Sequence, residues 1–287
     1  MFSETYTLSN WIVIPKIWFG TWLITRENAV MAVKQALDVG YRHIDTAQAY
    51  RNEIEVWKAI RESWLPRNEI FLTTKLAAET KDWDSARQMI EESFEKLGCD
   101  YIDLMIIHSP QPWSLVNKSE DRFFEWNISA RNVLQEYYKS GKIKAIWVSN
   151  FLQQDLENLM YNCEIKPMVN QILCHISNTP IELIDFCQQN DILVEAYSPM
   201  WHGEILNNPD IEKIAERYGV SIAQLCIRYT IQLWLVSLPK ALKREHMINN
   251  MDINFEISES DMNILKNFDK IENYWKSSFF PVLGGKL

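Results

Sequence analysis

Short apolar runs alternate with longer amphipathic segments along almost the whole chain. The longer segments carry apolar residues three and four positions apart, as at Ile90, Phe94 and Leu97, which is the spacing of one helix face. The short runs are apolar at successive positions, which is typical of parallel strands that helices cover on both sides. The pattern predicts strands at Ile17–Gly20, Tyr41–Asp45, Ile70–Lys75, Ile102–His108, Ile143–Ser149, Met168–Gln171, Leu193–Tyr197 and Leu235–Leu238.

Predicted helices separate these strands. Strands that alternate with helices eight times favour a closed (β/α)8 TIM barrel over an open sheet. No linker or composition shift divides the chain, so we expect a single domain over residues 1–287. The helices are predicted at Arg26–Val39, Glu53–Ser63, Ser85–Leu97, Ile128–Ser140, Gln153–Tyr161, Ile181–Asn190, Pro209–Tyr218 and Ser221–Leu233.

Two additions lie outside the repeat. Thr5–Leu8 and Val13–Pro15 flank a turn and predict an N-terminal β-hairpin. After Ser258 the chain predicts one further helix, Asp261–Phe268, and then an irregular aromatic segment that forms a C-terminal substrate loop.

Charge and cysteine content narrow the class of protein. A net charge of −9 argues against nucleic-acid or anionic-membrane partners, but it leaves open an anionic small ligand held by local Lys and Arg. The stretch from Ile231 to Pro239 is the longest apolar-rich segment without charge, and it is far too short to span a bilayer. We expect a cytoplasmic protein with no metal site, because its cysteines stand singly, without metal-ligand spacing: Cys99, Cys163, Cys174, Cys187 and Cys226. We also expect a monomer.

Polar residues at strand ends are the candidate catalytic group. Asp45, Lys75 and His108 each end a predicted strand, and Tyr50 follows Asp45 in the same connection. All four therefore lie at the C-terminal face of the barrel, where such folds place their active sites. Taken singly, a strand-terminal Lys or Asp is more often solvated, and His108 fits a core position equally well. Their combination on neighbouring strands indicates catalysis.

The chemistry that suits these residue types is proton donation beside a hydride acceptor. A tyrosine with a pKa of about 10 is a poor acid at neutral pH. We expect the Lys75 cation to stabilise the phenolate and to lower the pKa of Tyr50, while Asp45 keeps the ammonium in place. His108 is suited to orient and polarise a substrate carbonyl.

Eight short motifs are specific when taken together: GTW (Gly20–Trp22), YRHIDTAQAY (Tyr41–Tyr50), TTK (Thr73–Lys75), IIHSP (Ile106–Pro110), VSNF (Val148–Phe151), VNQ (Val169–Gln171), AYSP (Ala196–Pro199) and SLPKA (Ser237–Ala241). In order and over nearly the whole chain, they resemble the aldo-keto reductase family. The resemblance is closest to bacterial members that reduce small aldehydes, ketones and keto-sugar acids. It implies an NADPH-dependent oxidoreductase in which Tyr50 is the general acid, Lys75 and Asp45 support it, and His108 orients the carbonyl.

The resemblance also implies a set of cofactor contacts. Ser149, Asn150 and Gln171 match positions that hold the nicotinamide carboxamide, and Tyr197 matches the residue that stacks on the ring. Ser198 begins the run that approaches the pyrophosphate, and Lys240 matches the contact to the adenosine phosphate. The remaining residues of the set line the mouth of the cofactor and substrate site: Gly20, Thr21 and Trp22.

The chain departs from the family pattern at the adenosine end. The family usually has Ser after the Pro-Lys pair, and later an Arg followed by Glu-Asn. Here those places carry Ala241, His246, Asn249 and Asn250. Loss of the guanidinium weakens the case for tight 2′-phosphate binding, although Lys240, Lys243 and Arg244 still supply positive charge. NADPH is favoured, NADH stays open, and His246 and Asn250 are kept as candidate cofactor contacts.

Substrate contacts and alternative functions are less determined. Trp22, Trp113, Phe279 and Phe280 are candidates for the pocket wall, but the two phenylalanines fit a barrel cover equally well. An aldolase or isomerase on the same barrel would also use a lysine at a strand end, yet it gives Tyr50 no role. A nucleotide-binding sensor or regulatory subunit without turnover is the non-enzymatic alternative, although a pure binder needs no activated tyrosine.

Glycine and tryptophan contents are unusual. The chain has 8 Gly and 12 Trp, and tryptophans stand where backbone geometry favours glycine, as at Trp11 in the hairpin turn and Trp64 after a helix. One hypothesis is that these tryptophans come from translating UGA codons as Trp, whereas the source organism reads UGA as Gly. The alternative is a lineage that tolerates surface tryptophan. By family resemblance, the tryptophans at expected glycine positions are Trp11, Trp18, Trp57, Trp64, Trp126, Trp147, Trp201, Trp234 and Trp275.

Overall fold

The predicted barrel is confirmed. A computed structural model describes residues 3–116, 118–270 and 282. Within them, two short antiparallel strands precede eight parallel strands that lie side by side in chain order. The hairpin strands are β1 (Thr5–Thr7) and β2 (Val13–Pro15). The barrel strands are β3 (Phe19–Gly20), β4 (His43–Asp45), β5 (Phe71–Leu76), β6 (Leu104–Ile107), β7 (Ile146–Ser149), β8 (Val169–Leu173), β9 (Leu193–Tyr197) and β10 (Val236–Leu238).

The sheet closes between its first and last strands. Ile17 forms a parallel bridge with Ser237 just before β3. The backbone N–H of Trp18 donates to the Ser237 carbonyl at 3.0 Å, and that of Gly20 donates to the Pro239 carbonyl at 3.1 Å. Closure leaves no free strand edge and brings the carboxyl ends of all eight strands to one rim.

Helices connect the strands and cover the barrel. Three of them begin earlier than the apolar pattern predicts. The helix at Trp83 begins before Ser85 because the Asp82 carboxylate accepts a hydrogen bond from the Ser85 N–H and caps the first turn. The helices are α1 (Arg26–Val39), α2 (Glu53–Arg61), α3 (Trp83–Leu97), α4 (Phe124–Lys139), α5 (Gln153–Asn162), α6 (Ile181–Gln189), α7 (Pro209–Arg217), α8 (Ile222–Gln232), α9 (Arg244–Met251) and α10 (Glu259–Lys266). None of the helices in the described ranges is both long and apolar enough to cross a membrane.

The barrel interior has an apolar layer below a polar one. Phe71, Leu104, Val169 and Val236 are buried together in the lower part of the barrel. Side chains alternate along each strand, so the next inward positions lie nearer the C-terminal rim. On β4, β5, β8 and β9 those positions are polar, and they form the floor of the site described below.

Several tryptophans occupy strained or crowded positions. Trp11, Trp201 and Trp234 have φ angles of 67°, 43° and 64°, in the left-handed region that favours glycine. The turn position predicted for Trp11 is therefore confirmed, whereas Trp64 has no positive φ and the expected left-handed cap at that helix end is wrong. Inside the barrel the ring centroids of Trp18 and His43 lie only 3.3 Å apart, below the usual range of about 4.5–7 Å.

Replacing Trp11 by glycine tests the cost of its backbone conformation. Because the side chain is 85% exposed, Trp11→Gly loses little packing. It removes a left-handed strain of about 1–2 kcal/mol, and we expect the free energy of unfolding in urea to rise. Trp83→Gly is the matched control, since Trp83 starts α3 and is 38% exposed. That control should lower stability by about 0.5–1 kcal/mol. Equal destabilisation by both changes would contradict the expectation.

Candidate active site

The carboxyl ends of the barrel strands surround one elongated cleft of about 790 Å³. The structure brings most of the predicted site residues to its walls, so residues far apart in the chain share one cavity. The predicted residues that line the cleft are Gly20, Trp22, Asp45, Tyr50, His108, Ser149, Asn150, Gln171, Tyr197, Ser198, Lys240, His246 and Asn250.

A buried ion pair forms the floor of the cleft. The Lys75 ammonium lies 2.5 and 2.6 Å from the two carboxylate oxygens of Asp45, and both side chains are excluded from solvent. Lys75 also donates to the Thr46 carbonyl at 3.0 Å and to the Tyr50 hydroxyl at 3.3 Å. Burial raises the pKa of the Asp45 carboxyl, and the Lys75 charge acts in the opposite direction. The ammonium therefore contacts two of the catalytic candidates, Asp45 and Tyr50, as well as one backbone carbonyl.

Strand register and one anchored turn bring these groups together. Asp45 on β4 pairs with Thr73 on β5, so Lys75 lies one inward position higher and reaches across to the Asp45 carboxylate. Tyr50 ends a single helical turn that begins at Gln48. The Gln48 amide donates to the Met89 carbonyl on α3 at 2.6 Å and accepts from the Ala77 N–H at 3.0 Å. The turn is therefore fixed to both α3 and the end of β5.

His108 faces Tyr50 across the cleft. The two ring centroids are 5.8 Å apart at 70° to each other. Burial lowers the pKa of His108 well below 6.5, with the Lys75 and Lys81 charges adding to the effect. His108 is therefore a neutral imidazole at physiological pH. The Asn150 amide donates to the backbone carbonyl of His108 at 3.1 Å and connects the end of β6 to the end of β7.

The pKa of Tyr50 differs from the expectation. Burial raises the pKa of Tyr50 well above 10, and the Asp45 carboxylate raises it further. The expected lowering by Lys75 is wrong, because the bidentate Asp45 carboxylate neutralises the ammonium. Tyr50 is therefore a protonated phenol, and Lys75 contributes a hydrogen bond rather than a net positive charge.

The polar network continues beyond Asp45 to a residue that the sequence reasoning missed. The Gln171 amide nitrogen donates to Asp45 at 3.3 Å and to Glu195 at 2.8 Å. Glu195 is fully buried on β9, and burial followed by the Asp45 charge raises the pKa of its carboxyl well above 4.5. A charged residue at the centre of the apolar strand Leu193–Tyr197 was the signal available in the sequence.

The residues above this network suit a carboxamide and an aromatic ring. The Tyr197 hydroxyl donates to the Asn150 amide oxygen at 2.8 Å, and the Asn150 amide nitrogen lies 3.0 Å from the Ser149 hydroxyl oxygen. The Ser149 hydroxyl thus keeps its proton for a ligand acceptor. The Gln171 amide oxygen is the complementary acceptor, because its nitrogen is taken by two carboxyl groups. This donor and acceptor pair matches the nicotinamide carboxamide.

The far end of the cleft carries the remaining cofactor candidates. Lys240 lines it together with His246 and Asn250, and burial lowers the pKa of the lysine. Ser198 has a φ of 54° and begins the turn over this end. The apolar pattern did not mark the other polar residues of this wall: His202, Glu212, Glu216, Ser221 and Asn249.

The mouth of the cleft is formed by connections, not by strands. Trp22 lies edge-on to His202 at 5.0 Å, and Trp113 lies edge-on to His108 at the same distance. Thr21 is fully buried behind the wall, where its hydroxyl donates to the Asp45 carbonyl at 2.9 Å. Phe279 and Phe280 lie outside the described residues, as does Trp275.

A buried lysine that the sequence reasoning also missed holds the loop with Trp113. Lys81 donates to the Ser109 carbonyl at 2.6 Å and to the Asn127 amide oxygen at 2.9 Å. The Asn127 amide nitrogen donates to the Pro110 carbonyl at 2.9 Å. Burial lowers the pKa of Lys81 to about 7. Within the described ranges, no cluster of His, Cys, Asp or Glu has the composition of a metal site.

Comparison with known proteins places this architecture in one family. The model of the Aldo/keto reductase family matches residues 16–270. The chain is 39% identical to a glyoxal reductase of Bacillus subtilis, over 94% of each chain. It is 37% identical to the aldehyde reductase YPR1 of Saccharomyces cerevisiae, over 94% of this chain and 92% of that one.

A solved structure agrees in fold as well as in sequence. The crystal structure of an aldo/keto reductase from Brucella melitensis superposes with a TM-score of 0.86 and 35% identity. The superposition covers 93% of this chain and 100% of that one. The chain therefore belongs to the aldo/keto reductase family and is an oxidoreductase of that family.

Proposed function

We propose that the protein reduces small aldehydes and ketones to alcohols with NADPH as the cofactor; NADH is the alternative cofactor. The observation that carries the proposal is the buried chain from Asp45 through Lys75 to the Tyr50 hydroxyl, with neutral His108 on the opposite side. The relatives named glyoxal reductase and aldehyde reductase act on small carbonyl compounds by name, which supports the same substrate class here.

Tyr50 is proposed to donate the proton. Its raised pKa keeps the phenol protonated up to alkaline pH, so the proton to be donated is present at physiological pH. As the proton moves to the carbonyl oxygen, negative charge develops on the phenol oxygen, and the Lys75 hydrogen bond at 3.3 Å stabilises it. A reduced nicotinamide, when bound, supplies the hydride that reaches the carbonyl carbon.

His108 is proposed to aim the substrate. A neutral imidazole has one N–H donor and does not compete with Tyr50 as a charged acid. A carbonyl oxygen between His108 and Tyr50 would accept from both, which polarises the carbonyl and aligns it with the proton donor. The ring of Trp113 beside His108 limits the space on that side.

Ser149, Gln171 and Tyr197 are proposed to hold the nicotinamide end, and Lys240 to attract the 2′-phosphate at the other end. Lys240 is the cation that lines the cleft among the described residues, and the polar side chains of His246 and Asn250 line the same end. A lone ammonium is a weaker phosphate partner than a guanidinium fork, which leaves room for NADH.

The competing proposal is a nucleotide-binding sensor without turnover. The same cleft would bind the cofactor, but the pairing of Lys75 with Tyr50 would then have no use. The setting is proposed to be the cytoplasm, which the unpaired state of the described cysteines supports. A monomer remains the proposed oligomeric state.

Tyr50→Phe tests the proton donor. The change removes one oxygen and leaves the ring, so NADPH binding should be unaffected. We expect the rate of carbonyl-dependent NADPH oxidation to fall by about 10²–10⁴-fold, the usual contribution of a positioned acid. Tyr6→Phe is the matched control, because Tyr6 is a half-buried tyrosine outside the cleft whose buried hydroxyl has no hydrogen-bond partner. Unchanged turnover in Tyr50→Phe would refute the mechanism.

Lys240→Met tests the cofactor assignment. Removing this cation should weaken NADPH binding by about tenfold, as loss of one charge-assisted contact does, and leave NADH binding nearly unchanged. Dissociation constants from fluorescence titration provide the measurement. Lys243→Met is the control, because Lys243 is exposed and paired with Glu245 at 3.8 Å. An equal loss for both cofactors would show that Lys240 does not select the phosphate.

A further inference from the structure

Glu195 is a buried carboxyl group that the proton-donating mechanism does not use. It lies on β9, fully excluded from solvent, in the same polar layer as Asp45 and Lys75. One oxygen, Oε2, accepts from the Gln171 amide at 2.8 Å, and the other, Oε1, has no partner. Burying a carboxyl group with an unsatisfied oxygen costs free energy of folding, which points to a role for Glu195 in the site.

The charges around Glu195 determine its ionisation state. The Lys75 ammonium already spans both oxygens of Asp45, so the layer holds a neutral ion pair beside Glu195. A second carboxylate there would be a buried charge without a cation of its own, close to the Asp45 charge. Isolated buried charges neutralise by binding a proton. Glu195 is therefore a neutral acid, in line with its raised pKa.

A neutral acid at this position controls the orientation of Gln171. The amide nitrogen of Gln171 donates to Asp45 and Glu195 together, and a flipped amide would place its oxygen against the Asp45 carboxylate, which has no proton to donate. Its oxygen is thereby left as the acceptor for a ligand. Without Glu195, the amide would be held by the longer 3.3 Å contact to Asp45 alone.

Resting on the proposed function, we propose that Glu195 is a positioning residue for the cofactor. Its protonated carboxyl holds the Gln171 amide with the oxygen presented to the nicotinamide carboxamide. The effect of Glu195 on cofactor binding passes through Gln171. Any substitution that keeps a neutral acceptor at the same place should preserve that orientation.

The test is NADPH binding, measured by isothermal titration without substrate. Glu195→Leu should raise the dissociation constant by about fivefold to tenfold, as loss of one buried hydrogen bond does. Glu195→Gln, a neutral acceptor of the same shape, should restore most of the affinity. Glu195→Gln binding as poorly as Glu195→Leu would overturn the proposal, because a carboxylate charge would then be required. Unchanged binding in Glu195→Leu would overturn it too.

Coupling to Gln171 separates positioning from a general structural effect. The double variant Glu195→Leu/Gln171→Leu should bind NADPH no worse than Gln171→Leu alone, because both changes remove one interaction. Thr73→Val is the matched control, since Thr73 forms a buried hydrogen bond with His43 at 2.6 Å in the same barrel. The loss of NADPH binding free energy in Thr73→Val should add to the loss in Gln171→Leu. If the losses in Glu195→Leu and Gln171→Leu were also additive, the proposal would be overturned.

A second variant and a separate turnover measurement keep the proposal testable. If Glu195→Leu does not fold, Glu195→Met carries the same cycle with a more adaptable apolar side chain. Carbonyl turnover by the wild-type protein is measured separately. Binding without turnover would sink the proposed reductase function and leave the Glu195 cycle interpretable, because the cycle reads cofactor affinity alone.

A different set of observations concerns the tryptophans. Trp11, Trp201 and Trp234 have left-handed backbones, which a single tryptophan rarely adopts and glycine adopts freely. Trp18 and Trp147 are stacked inside the barrel at 5.3 Å, with the Trp147 indole N–H buried and unpartnered.

We infer that the tryptophans at expected glycine positions are glycines in the protein that the source organism makes, through UGA read as Gly. By family resemblance alone, the inference extends to Trp57, Trp64, Trp126 and Trp275, the last of which lies outside the described residues. The test is the intact mass of the protein isolated from that organism. We expect the mass calculated with glycine at these nine positions, and the mass calculated with tryptophan there would overturn the inference. A chain with all nine Trp→Gly changes should also melt at a higher temperature than the chain as written, and a lower melting temperature would count against it.

Discussion

The buried pair of Lys75 and Asp45 is the interaction on which the site depends. Neither group would remain charged alone in an apolar barrel, because the desolvation of a single buried ion costs several kcal/mol. Together they contact through two oxygens, and the ammonium uses its remaining donors on Thr46 and Tyr50. The pair therefore fixes the position of the tyrosine hydroxyl and exists only because the strand register brings β4 and β5 into this alignment.

The polar layer around this pair has two functional directions. On one side, Lys75 is proposed to stabilise the negative charge that forms on Tyr50. On the other side, Asp45 shares the Gln171 amide with Glu195, which connects the proposed proton donor to the group proposed to face the nicotinamide. Under this proposal, a change in Asp45 affects both the proton-donating and the cofactor-binding parts of the cleft. The raised pKa of Tyr50 follows from the same arrangement, since the ion pair carries no net positive charge.

The sequence was sufficient for the fold and for the catalytic candidates. Apolar runs and helical periodicity predicted all eight barrel strands, and the polar residues at their ends predicted which side chains meet at the rim. Glu195 and Lys81 escaped prediction because their importance depends on burial and on partners from distant elements. The predicted direction of the Tyr50 pKa shift was wrong, because the sequence does not show that Asp45 neutralises Lys75. Trp64 was misjudged because composition alone does not determine φ.

The most direct measurement is a double-mutant cycle on the ion pair, with carbonyl reduction as the readout. Lys75→Met and Asp45→Asn are each expected to slow NADPH oxidation by about 10²-fold or more, because each removes the group that holds Tyr50 in its donating position. The double variant should be no slower than the slower single variant, as for residues that act as one unit. Independent, additive losses would contradict the account, because Lys75 and Asp45 would then contribute separately.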